Sequence, residues 1–187
     1  MNRIDLIKLL WLVLLLFPGG LFAQVLPQDK TTGKFYYSEE VLVKDGPQMD
    51  LYHRAKTWFN LAGQNKKTIN LDDSKNGMLA GDILTELAVV ADNQKQKFKL
   101  KYTVNLQLSD DRYWLSLNNF QLQKIVSLNQ NRSTKELIVN SQPLEVWLNG
   151  KEKVNSKVQI PAIKQKLEKA VYKSIFTQME DLNAHML

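Results

Sequence analysis

The chain has 187 residues, 25 Lys and Arg against 19 Asp and Glu, and no cysteine. Without a thiol there is no disulfide scaffold, no thiolate nucleophile and no Cys-based metal site. Only two histidines, His53 and His185, are available for His-based metal or acid–base chemistry. An apolar content of 44% with 24% charged residues is that of a globular chain, not a disordered one, and the length suits one domain.

At the N-terminus, Arg3 and Lys8 stand against Asp5 and flank the start of an unbroken apolar run over 9–17. Pro18-Gly19-Gly20 closes the run, and Ala23 precedes Gln24. A basic start, a short apolar core and a small residue at the cut are the order of a secretory signal peptide. The run is shorter than the roughly 20 residues of a spanning helix, which favours cleavage after Ala23 over an uncleaved anchor. The expectation is a signal peptide over 1–23, export to the periplasm or beyond, and no stable membrane insertion after cleavage. No cysteine follows the run to carry a lipid.

Residues 24–33 are polar and read as a leader to one domain over 34–187. The aromatic and β-branched run 34–44 predicts a strand. Asp45-Gly46-Pro47 stops it, and Pro47 opens a helix. Over 48–62, Leu51, Tyr52, Ala55, Trp58, Phe59 and Ala62 recur at helical spacing as one apolar stripe, and Gly63 supplies a stop. A short strand at 68–71 and a turn over 72–77, with the hairpin dipeptide Asn76-Gly77, lead into a long strand at 78–91. Leu79, Ile83, Leu87 and Val89 share one face of that strand, and Gly81 inside it predicts a bulge or close packing.

Over 97–109, Phe98, Leu100, Tyr102, Val104, Leu106 and Leu108 alternate with Lys97, Lys99, Lys101, Thr103, Asn105 and Gln107. Strict alternation means one buried and one wet face. A turn at 109–112 returns the chain as strand 113–122, carrying Trp114 and Phe120. Beyond it, 125–128, 136–139 and 144–148 read as short strands, and Asn149-Gly150 as a further turn. Pro161 opens a last helix over about 162–183. Ile163, Leu167, Val171, Ile175 and Leu182 lie near one face of it, flanked by Tyr172, Phe176 and Met179. The order predicts an α+β fold: a two-layer sandwich in which a mostly antiparallel sheet is covered on one face by two helices.

Particular residues carry a resemblance. Leu51-Tyr52-x-Arg54-Ala55-x-x-Trp58-Phe59, Ile69-x-Leu71-Asp72-Asp73 with Gly77 and Gly81, and Asp111-Arg112-Tyr113-Trp114 through Asn119-Phe120 resemble the domain-of-unknown-function family DUF4468, exported bacterial proteins with a TBP-like fold. The resemblance covers residues 35–122 directly and the last helix by order. It implies a β-α-β-β-β-β-α succession, against which 123–160 is long and reads as an insertion or extra hairpin. It implies no activity and no catalytic residues.

The chemistry-bearing residues have plain alternatives. Asp72-Asp73 and Asp110-Asp111 would hold Ca²⁺ only if more oxygen ligands converged; beside turns, Asp bends and caps the backbone. His53 lies off the apolar stripe and His185 near a terminus where fraying is expected. No nucleophile elbow, P-loop or dinucleotide fingerprint occurs, so neither an enzyme nor a cofactor is expected, and a hydrolase is the least favoured reading. Lys97, Lys99 and Lys101 form a basic stripe on the wet face and are the candidate partner surface. Export and a diffuse net charge argue against nucleic acid. Trp58, Phe59, Tyr102, Trp114 and Phe120 are a candidate pocket between helices and sheet, or a filled core. The expected function is a non-enzymatic binding or interaction module for an envelope protein. The alternative is a carrier of a small apolar ligand between helices and sheet.

Overall fold

The computed structural model describes residues 27–61, 65–91, 94–130, 133–148 and 160–187. The alternating segment becomes β4 (Gln94–Ser109), the middle of the sheet. It lies between β3 (Met78–Ala91) and β5 (Arg112–Gln130). Outside these run β2 (Lys66–Asp73), on β3, and β1 (Tyr37–Leu42), on β5. A sixth strand, β6 (Ser133–Pro143), also pairs with β5, and every pairing is antiparallel. β1 takes β5 residues up to Leu117, and β6 takes those from Gln121 onward. Between the two, Asn119 turns left-handed at φ 54°, where the β4–β5 register slips. One long strand thus serves two edge partners through a bulge.

Two helices, α1 (Gln48–Asn60) and α3 (Ile160–Met186), cover one face, with the short α2 (Leu144–Leu148) beside β5 and β6. The sandwich predicted from the sequence is the fold observed. Even-numbered residues of β4 from Phe98 to Leu108 are buried, and Leu79, Ile83, Leu87 and Val89 of β3 are buried beside them. From α1 come Leu51, Tyr52, Ala55, Trp58 and Phe59. From α3 come Leu167, Val171, Ile175, Met179, Leu182 and Met186. Each fully buried large side chain is worth about 1.5–3 kcal/mol of transfer free energy, so this shared core dominates stability.

Several elements differ from expectation. β5 does not end at 122 but runs on to Gln130, absorbing the strand expected at 125–128, because β6 replaces β1 as its edge partner. The extra hairpin is therefore β5–β6. Residues 144–148 form a helix, not a strand: Pro143 ends the ladder, and Leu144 and Leu148, four apart, bury one face. The β2–β3 connection is the turn 74–77 with only Gly77 left-handed, φ 65°. His185 does not fray. It sits in the last turn of α3, and Arg54 NH1 caps that end through the carbonyls of Met186, at 2.9 Å, and Leu187. Ala62, Gly63, Asn149-Gly150 and the segment 1–23 lie outside the described residues.

Gly81 shows why β3 needs a glycine in its interior. A Cβ there would stand 2.5 Å from the Thr68 carbonyl and 2.6 Å from Phe59 Cε1. The Phe59 ring therefore packs against bare backbone, opposite the β2 bulge between Ile69 and Leu71. Gly81→Ala should destabilise the fold by about 1–3 kcal/mol through overpacking. Urea unfolding would measure this, and a double-mutant cycle with Phe59→Leu should show coupling above about 0.5 kcal/mol.

Candidate binding groove on the open sheet face

The two faces of the sheet have different contents. On the helix side, Trp58, Phe59, Tyr102 and Phe120 are all buried. Tyr102 stacks on Phe120 at 5.5 Å, and Trp58 meets Phe59 edge-on at 4.9 Å. The void beside Trp58 and Tyr102 is about 10 Å³, the scale of a single water. Around these four aromatics the described helix–sheet interface is packed core. Trp114 does not join it. Tyr113, Leu115 and Leu117 point inward, so the pleat turns Trp114 to the opposite face, 40% exposed.

Polar groups at the helix–sheet boundary act as clasps. The Trp58 indole N–H donates to Asp181 Oδ2 at 2.7 Å, and Lys67 Nζ lies 3.8 Å above the Trp58 ring, donating to the Trp58 carbonyl at 2.9 Å. Burial lowers the Lys67 pKa, and Asp181, 3.8 Å away, partly offsets it. Tyr113 hydroxyl donates to Asn183 Oδ1 at 2.6 Å. These contacts hold α1, β2 and β5 to the C-terminal half of α3.

The acidic pairs are occupied in structure. Asp110 Oδ1 accepts the Gln48 N–H at 2.8 Å, and Asp111 Oδ1 accepts that of Gly46 at 3.1 Å. Asp72 accepts from the Tyr52 hydroxyl and from Lys56 at 2.7 Å, and Asp73 binds Asn76. Among the described residues no group of three or more His, Cys, Asp or Glu is placed to hold a metal. His53 is exposed on α1, and His185 Nδ1 donates to the Asp181 carbonyl at 2.7 Å. No helix of the described residues is long and apolar enough to cross a membrane.

The open face carries the lysine stripe, and register pairs it with acids. Lys101 Nζ lies 2.8 Å from Asp82, its direct neighbour's flank on β3, and Lys99 lies 3.7 Å from Glu86, directly opposite. Thr103 hydroxyl also donates to Asp82 at 2.8 Å. Lys97 stands on the same face. The stripe is therefore less a field of free positive charge than one side of a mixed-charge ladder.

Further along the same face, small side chains line up across five strands. Ser38, Ser116, Asn105, Ala80 and Leu71 are successive cross-strand neighbours on β1, β5, β4, β3 and β2. The next row contains Trp114, Gln107 and Met78. Small residues bounded by large ones leave a groove of about 290 Å³, lined by twelve residues, none of them charged. Tyr36, Leu71 and Trp114 line it, three of the eight exposed large hydrophobics among the described residues. Arg112 braces Trp114 from the next position on that face, with its guanidinium carbon 5.8 Å from the ring centroid and an ion pair to Glu40 at 2.9 Å. Sequence reading placed Asn105 and Gln107 on the wet face. It missed Ser38, Ser116, Ala80, Leu71 and Tyr36, because a row across strands is visible only once register is known.

Residues 37–123 match the family described as domain of unknown function (DUF4468) with TBP-like fold. The likeness to that family read from the sequence holds over this span. No curated protein matches the chain. Among solved structures, a TBP-like protein from Parabacteroides distasonis superposes with a TM-score of 0.57 at 15% identity, covering 86% of this chain and 96% of that one. A DUF4468 family protein from Bacteroides ovatus superposes with a TM-score of 0.59 at 15% identity, covering 86% and 90%. The shared property is the fold: a mostly antiparallel sheet with its helices on one face.

The ion-pair ladder has a pH signature. Burial pushes the Asp82 pKa up, but hydrogen bonds from Lys101, Thr103 and Asn70 outweigh it, and the net shift is downward. A carboxylate depressed in the fold adds stability above its unfolded pKa of about 3.9, and loses it as pH falls through the folded value. Asp82→Asn should therefore lower stability by about 1 kcal/mol or less at neutral pH. The difference from wild type should shrink as pH falls from neutral to about pH 2, below the usual carboxylate range. Urea midpoints at the two pH values would check it.

Proposed function

We propose that this protein is an exported, non-enzymatic binding module that engages its partner through the open face of the sheet, centred on the groove beside Trp114. One observation carries the reading: exposed Tyr36, Leu71 and Trp114 gather around one groove on the face that no helix among the described residues covers. A soluble domain that needed this face only for solvation would place polar side chains there, as it does along β4 from Lys97 to Thr103. Export is supported by the signal-peptide pattern over 1–23. The non-enzymatic reading is supported by the structural occupation of the chemistry-bearing groups: both acidic pairs cap or brace the fold, and the two histidines lie on separate helices.

Lys97, Lys99 and Lys101 belong to the same face and flank the groove rather than form it. Their ion pairing makes charge a secondary contributor to capture, so apolar contact at Trp114 comes first. Two experiments follow. In a Gram-negative host the chain should accumulate outside the cytoplasm with Gln24 at its N-terminus, read by intact mass; retention of residues 1–23 would count against export. In affinity capture from envelope extracts, Trp114→Ala should reduce recovery of the specific partner about tenfold or more, the scale of one aromatic hot spot. Simultaneous Lys97→Ala, Lys99→Ala and Lys101→Ala changes should have a smaller effect. Equal recovery by the Trp114 variant would reject the open face as the binding surface.

A further inference from the structure

The lining of the groove specifies more than its existence. We infer that it binds an uncharged, hydroxyl-bearing ring ligand, the saccharide unit of a neutral glycan. The inference rests on the reading of the open face as the binding surface and names the class of ligand for it.

Three features select that class. First, none of the twelve lining residues is charged; of the charges bordering the groove, Arg112 pairs with Glu40, Lys101 pairs with Asp82, and Asp73, opposite Met78, is bound by the Asn76 backbone and side-chain amides. A charged ligand would lose hydration on entry, with no charged lining residue to replace it. Second, the polar lining consists of hydroxyls and amides. Ser38 and Ser116 lie directly opposite each other, Asn105 is next in the same row, and Gln107 sits beside Trp114. Each of these groups both donates and accepts hydrogen bonds. A vicinal diol also does both, so the two sets are complementary. Gln107 Nε2 already donates to the Asn76 carbonyl at 2.9 Å and Asn105 Nδ2 to Ser116 Oγ at 3.5 Å, which leaves the amide oxygens and the serine hydroxyl protons to face a ligand; an alkyl chain would cover these without pairing them, at a cost for each.

Third, the groove has a flat wall and a shallow floor. Trp114 is exposed, and the Arg112 guanidinium carbon over its ring, 5.8 Å from the centroid, restricts the ring's freedom before a ligand arrives. A pre-positioned indole presents an apolar plane to the C–H face of a pyranose ring while the ring hydroxyls reach the amides and serines. Ala80, Ser116 and Ser38 keep the floor low enough for a ring to lie against the sheet. The volume of about 290 Å³ is near the lower end for small-molecule sites, suited to one or two sugar rings rather than a long peptide.

The test uses the protein purified from the compartment in which it accumulates. Maltotriose, cellotriose, chitotriose and xylotriose are titrated by calorimetry and by tryptophan fluorescence. A uronic-acid oligosaccharide, an uncharged apolar peptide and a fatty acid serve as comparators. At least one neutral oligosaccharide should bind and perturb the fluorescence. Its charged counterpart should bind about tenfold more weakly or worse. Trp114→Ala should cost about tenfold or more, Trp114→Phe should retain most binding, and Ala80→Leu, which raises the floor, should abolish it. Because Ala80 is buried, thermal midpoints of all the variants are compared with wild type, and binding loss at an unchanged midpoint separates lost binding from lost folding.

Failure of every neutral oligosaccharide at millimolar concentration overturns the saccharide assignment. If the peptide or the fatty acid binds instead, and does so through Trp114 and Ala80, the open face stands as the binding surface and only the ligand class falls. If a ligand binds with full strength to both variants, both readings fall.

Discussion

The constraint on which the structure depends is the pleat of β4. Its even-numbered side chains bury beneath two helices, and a slip of one residue would drive Phe98, Leu100 and Tyr102 into water and bring lysines into the core. That penalty sets the register of the middle strand, and antiparallel pairing passes it outward to β3 and β5, then to β1 and β2. Each outward position on β4 thereby acquires a defined neighbour. Glu86 lies opposite Lys99, and Ser116 lies opposite Asn105. The open face is a consequence of the buried one.

The same economy appears in how the helices are held. Pro47 occupies the N-cap position of α1 and has no side-chain oxygen to satisfy the first amides. The β4–β5 turn supplies an acceptor, with Asp110 reaching the Gln48 N–H, while Asp111 holds the N–H of Gly46 just before the helix. At the other end of the chain, Arg54 of α1 caps the last carbonyls of α3. Local signals that look incomplete, or that look like metal ligands, become complementary when distant segments meet. In this acidic pair, one oxygen of each carboxylate is already directed at an amide hydrogen.

The groove beside Trp114 arises from what the open face leaves out. Where the outward residues of β4 are lysines, the neighbouring strand answers with Glu86 and Asp82, and the surface is closed by ion pairs. Where they are Asn105 and Gln107, the neighbours are Ala80, Met78, Ser116 and Trp114, and no charge enters the space between them. One strand thus carries a screened ladder at one end and a neutral depression at the other. The fold class shared with TBP-like structures accounts for the uncovered face; the side chains on it are this chain's own.

The sequence by itself determined the periodic features. The 3.6-residue stripe from Leu51 to Phe59 and the two-residue alternation from Phe98 to Leu108 announce helix and half-buried strand wherever the chain lies, because each period is a local consequence of backbone geometry. Gly81 likewise declared a close approach, though not that Phe59 would make it. The tertiary structure decided everything that depends on neighbours distant in sequence. It sent Trp114 outward while the other four aromatics of its set filled the core, turned 144–148 into a helix once Pro143 closed the β6 ladder, and let β5 outrun its expected end by exchanging β1 for β6. It also assembled the groove, whose floor and walls come from five strands. No one-dimensional pattern marks such a row, because cross-strand adjacency exists only after register has been set by the burial of the opposite face.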